Sequence, residues 1–222
     1  MFLLFGILYL VFSVITIITA GTGAKIRNIA KPLTMPLLGV FYYLGAARLG
    51  ILLSPLVLGA LGFSTLGDLF LLRQNRKRFF LAGLFSFLIG HLAYFVYFTG
   101  SIRDFSLVPS WIWFTLVFYI IGALFILKLV AGRSRVMKVP VLLYVIIICG
   151  MNFSTLARCG NYMGAGFILP FSGSLLYMIS DALLGVRNFK KRIPQISRVI
   201  SVTYHIAQFL LIYGILRSYA FV

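Results

Sequence analysis

Eight apolar runs follow one another through the chain, at roughly 2–20, 32–47, 51–72, 79–99, 109–131, 138–157, 162–186 and 198–217, with short basic segments between them. A helix needs about 20 apolar residues to cross the hydrocarbon core of a bilayer. Hydrocarbon offers no partner to a backbone N–H or C=O, so runs of this length are read as helices. The expected fold is all-α: a polytopic membrane protein of eight transmembrane helices. No stretch is polar enough for a separate soluble domain, so residues 1–222 read as one integral membrane domain. The first run, MFLLFGILYLVFSVITIITAG, has no basic n-region and no A-x-A-type cleavage site, and reads as a first span. The second and third runs are so close that they must form a tight hairpin.

The net charge of +17 would suit nucleic acid, but its distribution does not. Sixteen of the 20 Lys and Arg residues fall after the odd-numbered spans. They are Lys25, Arg27 and Lys31; Arg73, Arg76, Lys77 and Arg78; Lys128, Arg133, Arg135 and Lys138; and Arg187, Lys190, Lys191, Arg192 and Arg198. Arg48, Arg103, Arg158 and Arg217 fall on the other side. The positive-inside rule then puts the four basic loops in the cytoplasm and both termini outside. The membrane would be the inner or plasma membrane of a bacterium, or the ER of a eukaryote. Expected partners are membrane lipids and not nucleic acid; the oligomeric state is not legible.

The chain also echoes itself. HLAYFVYFTG (91–100) resembles HIAQFLLIYG (205–214), and GDLFLL (67–72) resembles SDALLG (180–185). Asp68 precedes His91 by 23 residues, and Asp181 precedes His205 by 24. Lys31-Pro32 and Lys138-Val-Pro140 open the second and sixth spans. This suggests a tandem four-helix unit, with halves 1–105 and 106–222. An even number of spans leaves both copies in one orientation, related by an axis along the membrane normal.

The whole chain holds three acidic residues, Asp68, Asp104 and Asp181, and no Glu. Two of the three lie inside apolar runs, about one turn from the cytoplasmic ends of spans three and seven. Ionisable groups at such depth face the bundle interior and mark functional sites. Polar residues at helical spacing extend the layer: Ser174, Tyr177, Asp181 and Asn188; Ser64 and Asp68; Ser201, Tyr204, His205 and Gln208; Gly83, Gly90, His91 and Tyr94. Together these stripes predict a polar cavity open to the cytoplasm, with both carboxylates in it and Lys31 at the same depth.

There is no G-x-S-x-G elbow, no H-E-x-x-H and no Gly-rich phosphate loop. Cys149 and Cys159 lack metal-ligand spacing, and two His cannot make a three-His zinc site, though a mixed His/Asp site stays open. No cofactor is expected. What remains is acid–base work by a carboxyl pair, one holding its proton and the other ionised. A membrane-embedded pocket favours a lipid or other amphiphile.

KPLTMPLLG (31–39), LGDLFLL (66–72), GLFSFLIGHLAYF (83–95), LPFSGSLLYMISDALLGVRNF (169–189) and Tyr204…Gln208 before LLIYG resemble the YhhN-type lysoplasmalogenases over nearly the whole chain. The resemblance implies an eight-span ether hydrolase. It would cleave the vinyl ether bond of a lysophospholipid, releasing a fatty aldehyde and glycerophosphoethanolamine or glycerophosphocholine. It also implies Asp68 and Asp181 as the catalytic acid and base. Lys31 would meet the phosphate as a point charge. His91, Tyr94, Asn152, Tyr177, Tyr204 and Gln208 would orient the glycerol and water.

Two other readings compete. One is a metal-dependent membrane amidase or esterase with Ser64, Asp68, His91, Asp181 and His205 around zinc. The other is a proton-coupled transporter, which needs a path to both faces. The topology is tested by single-cysteine accessibility: Cys at Gln74 or Lys190 should label only from the cytoplasmic side. Labelling from outside would overturn both the orientation and the depth argument.

Overall fold

The computed structural model describes residues 1–73, 76–131, 135–189 and 195–219. Arg133, Lys190, Lys191 and Arg192, counted above among the basic loops, lie outside the described residues. Eight α-helices carry the chain: α1 (Phe2–Ile18), α2 (Arg27–Leu49), α3 (Pro55–Leu72), α4 (Lys77–Gly100), α5 (Leu116–Ala131), α6 (Arg135–Ala157), α7 (Ala165–Phe189) and α8 (Ile196–Arg217). The described residues contain no strand. The eight helices follow the eight apolar runs, with one change of form. The run at 109–131 opens as a 3-10 segment, Ser110–Thr115, before α5 begins.

Five stretches are long and apolar enough to cross a membrane by themselves: Pro55–Leu72, Lys77–Gly100, Val139–Gly160, Ala165–Arg187 and Ile196–Arg217. The other three helices fall short for separate reasons. α1 and α5 have 17 and 16 residues. α2 has 23 residues but carries Arg27, Lys31 and Arg48. The outer faces are apolar throughout. Leu3, Ile7, Leu10 and Val14 of α1 and Phe118, Ile121, Leu124 and Phe125 of α5 are exposed, as suits a chain solvated by lipid.

Local chemistry sets the helix ends. α2 stops at Gly50, whose φ of 65° is the left-handed conformation that closes helices. Four residues later Ser54 is extended and Pro55 opens α3 at its first turn. The tight hairpin expected between the second and third runs is therefore built from a Gly stop and a Pro start.

Close packing of α3 on α4, and of α7 on α8, depends on missing side chains. A Cβ on Gly90 would come within 3.2 Å of the Ala60 carbonyl. One on Gly173 would come within 2.9 Å of both the Ala207 carbonyl and the Leu211 nitrogen. The two hairpins are also cross-linked in matching ways, α4 to α6 and α8 to α2. At the end opposite the basic loops, Arg158 is fully buried where α4, α6 and α8 finish. Its guanidinium lies 4.0 Å from the Tyr162 ring centre and donates to Ser218 Oγ at 2.8 Å.

Gly173→Ala should destabilise the protein by about 1–3 kcal/mol, because the obstructing atoms are backbone. Gly62→Ala on an exposed helix face, with nothing within 4 Å, should be neutral or stabilising. Thermal unfolding of the two variants side by side checks this.

Candidate active site

Asp68 lies one turn from the end of α3, and Lys31 one turn from the start of α2. Both helix ends point to the basic side, so ammonium and carboxylate meet. Lys31 Nζ is 2.8 Å from Asp68 Oδ1. The Tyr204 hydroxyl, from α8, donates to Asp68 Oδ2 at 3.0 Å. Both oxygens of Asp68 are thus engaged, and the residue is 1% exposed. The common depth of Lys31 and the carboxylates in the sequence is realised as a direct contact with Asp68. An ammonium this close to a buried carboxylate is held by it.

Asp181 is placed differently. The Tyr144 hydroxyl from α6 donates to its Oδ2. His91 Nε2 from α4 lies 3.3 Å from the same oxygen, but its alignment falls short of a hydrogen bond. His91 Nδ1 is 2.7 Å from the Phe87 carbonyl. A carbonyl only accepts, so Nδ1 carries a proton. Without a further proton, Nε2 would face Oδ2 lone pair to lone pair. The Asp181–His91 contact is therefore favourable only when one of the two groups holds an additional proton. Among the described residues no donor reaches Oδ1 of Asp181.

Rings separate the two carboxylates. Tyr204, Tyr177, His91 and Tyr144 run in a row from one to the other, with ring centres 5.4, 4.3 and 5.5 Å apart in turn; the outer two contacts are edge to face and the middle one is tilted. Below this row sits a closed network. The Tyr94 hydroxyl donates to Gln208 Oε1 at 2.9 Å. Gln208 Nε2 donates to Ser64 Oγ and to the Tyr177 hydroxyl, both at 3.1 Å, and those two hydroxyls lie 3.3 Å apart. The polar stripes of α3, α4, α7 and α8 meet here and satisfy one another, instead of lining the water-filled cavity that they predicted. Hydrocarbon rewards pairing of such groups and offers nothing to an open stripe. Asn152 joins a separate group with Ser174, Thr155 and Tyr119, donating to Ser174 Oγ at 2.7 Å.

A cavity of about 590 Å³ does reach one of the carboxylates. It lies between α4, α5, α6 and α7, and among the described residues Asp181 is the one charged side chain on its wall. Tyr119 and Tyr144 bring hydroxyls; Phe80, Leu84, Phe118, Val145, Ile148 and their neighbours make the rest apolar. Asp68 is not on this wall. The expectation that both carboxylates share one pocket is thus replaced by one lining carboxylate and one buried ion pair. Among the described residues no three His, Cys, Asp or Glu side chains come together to hold a metal, so the five-residue zinc constellation is not assembled.

Tyr144 is the residue that sequence reasoning missed. It stands in VPVLLYVIIIC with no polar neighbour at helical spacing. The available signal was the phenol itself: a hydroxyl that deep needs an acceptor, and Asp181 is the only acid at that depth on the facing helices.

A family model described as the YhhN family matches residues 26–215. The chain belongs to the YhhN family. No curated protein and no solved structure matches the chain. The YhhN match takes in Lys31, Asp68, His91, Tyr144, Asp181 and the whole Ser64–Tyr94–Tyr177–Gln208 network, and leaves out α1.

Gln208→Leu removes the centre of that network: the Tyr94 hydroxyl loses its acceptor at about 1–3 kcal/mol, while the Ser64 and Tyr177 hydroxyls keep only each other. A fall of several degrees in the unfolding temperature is expected, whereas Gln208→Glu should lose less because its oxygens still accept from Tyr94.

Proposed function

We propose that this YhhN-family protein is a lysoplasmalogenase, hydrolysing the vinyl ether of a single-chain phospholipid to a fatty aldehyde and a glycerophospho-amine. The observation that carries the reading is Asp181: a carboxyl group with an unengaged oxygen on the wall of an otherwise apolar cavity. Vinyl ethers hydrolyse by protonation on carbon, and a neutral carboxyl in a dry site suits that step. In this reading all eight helices cross the bilayer, with both termini outside. The 17 residues of α1 reach about 26 Å, close to the hydrocarbon thickness of ~30 Å.

Asp181 delivers its proton to the outer carbon of the C=C bond, whose π pair forms the new C–H bond. The adjacent carbon becomes an oxocarbenium ion, with its charge shared by the ether oxygen. The Asp181 carboxylate then stabilises this cation across the cavity. Water adds to the cationic carbon and gives its proton back to Asp181, so the acid is regenerated. The hemiacetal collapses to aldehyde and alcohol. Tyr144 fixes Oδ2, and His91 shares the proton that Asp181 holds between turnovers. One carboxyl completes the cycle. Asp68, bound by Lys31 and Tyr204, stays off the cavity wall and takes no part in these steps.

The test is mass spectrometry of products from lysoplasmenyl and 1-acyl lysolipids offered together to purified protein, with and without chelator. Aldehyde from the vinyl ether alone, unaffected by chelator, is expected. Asp181→Asn should lower turnover by roughly 10²–10⁴-fold, the usual range for a general acid. Equal cleavage of the ester, or a fully active Asp181→Asn protein, would overturn the reading.

A further inference from the structure

The two carboxylates occupy matched positions in the two halves, and the structure extends that match to contacts. Ser64 and Tyr177 each stand four residues before an Asp, and they touch each other. Tyr94 and Gln208 each stand three residues after a His, and they hydrogen-bond to each other. His91 and His205 both place Nδ1 2.7 Å from the carbonyl four residues back, with Nε2 buried and without a hydrogen bond. Pairing of equivalent positions with each other is the signature of a two-fold axis. The axis passes through the Ser64–Tyr177 and Tyr94–Gln208 pairs, relating α1–α4 to α5–α8.

This symmetry maps the cavity at Asp181, walled by α4, α5, α6 and α7, onto the space at Asp68 bounded by α8, α1, α2 and α3. That second space is filled. Phe2 of α1 stacks on Phe41 with ring centres 4.3 Å apart, and Tyr9 stacks on Phe209 at 6.0 Å. The Tyr9 hydroxyl donates to the His205 carbonyl at 2.6 Å. Lys31 occupies the carboxylate. On the other side, Gly122 of α5 and Gly185 of α7 line the cavity, and an added Cβ would meet nothing within 4 Å at either.

Resting on the lysoplasmalogenase reading for the identity of the ligand, we infer that the chain carries two copies of one carboxylate site, and that only the Asp181 copy admits the apolar chain of a single-chain lipid. The Asp68 copy is closed by α1 and neutralised by the protein's own lysine. Lys31 and Asp68 are then needed as a pair and not individually. Removing one strands a buried charge, whereas removing both does not.

Two experiments test this. In the first, Lys31→Met and Asp68→Asn are made singly and together. Each single variant should lose thermal stability, and the double variant should recover most of it and keep turnover within about threefold of wild type. A double variant as stable as wild type but as inactive as Asp181→Asn would overturn the inference. The second uses wild-type protein, so folding is not at issue: a lysophospholipid with a diazirine on its hydrocarbon chain is photolysed and the labelled peptides are mapped. Labels should fall on the cavity faces of α4–α7, near Leu84, Ile148 and Met178. Labels around Tyr9, Phe41 and Phe209 would place the chain at the Asp68 copy and overturn the inference. Photolabelling does not need hydrolysis, so it stands even if no aldehyde is found.

Discussion

The Tyr94–Gln208 hydrogen bond, and the four-residue network around it, joins α3, α4, α7 and α8 in a place where water cannot help. Each hydroxyl and amide there would cost free energy if left alone, so the groups specify one another. That requirement fixes the rotation of four helices at once. It follows that Asp68 and Asp181, each one turn from a network residue, are held on defined faces: one toward α2, the other toward α6. Close Gly contacts at Gly90 and Gly173 set the spacing that lets these bonds reach.

Much of this was legible from residues alone. Apolar run length gave eight helices, and scarcity of acids singled out Asp68 and Asp181. Helical spacing put Ser64, Tyr177, His91, Tyr94, Tyr204 and Gln208 in one layer. What spacing along a helix cannot give is rotation between helices. Stripes that read as the wall of a polar cavity turned out to be the two sides of a closed seam. The same blindness hid Tyr144. The cavity itself was illegible because it arises from α5 standing off its neighbours, a matter of side chains that are absent at Gly122 and Gly185. Sequence also could not show that α1, outside the family match, fills the space at Asp68 with rings.

Charge placement completes the picture. Three carboxyls face twenty basic side chains, and their placement differs in kind. Asp104 sits on the surface beyond α4, where the Ser106 hydroxyl, and after it the Ser106 N–H donating at 2.8 Å, hold its carboxyl below the ordinary range. Asp68 and Asp181 lie toward the C-terminal ends of α3 and α7, where helix dipoles oppose negative charge. At Asp68 an ammonium from the start of α2 offsets that opposition by forming an ion pair. At Asp181 there is a phenol and an imidazole, and among the described residues no Lys or Arg pairs with it. Asp68 and Asp181, at like distances from their helix ends, thus have different surroundings. The difference comes from the partner supplied by the adjoining helix: Lys31 on α2, Tyr144 on α6. The seam between α3, α4, α7 and α8 can therefore serve stability while the two carboxyls meet different partners, one closed in an ion pair and the other on a cavity wall.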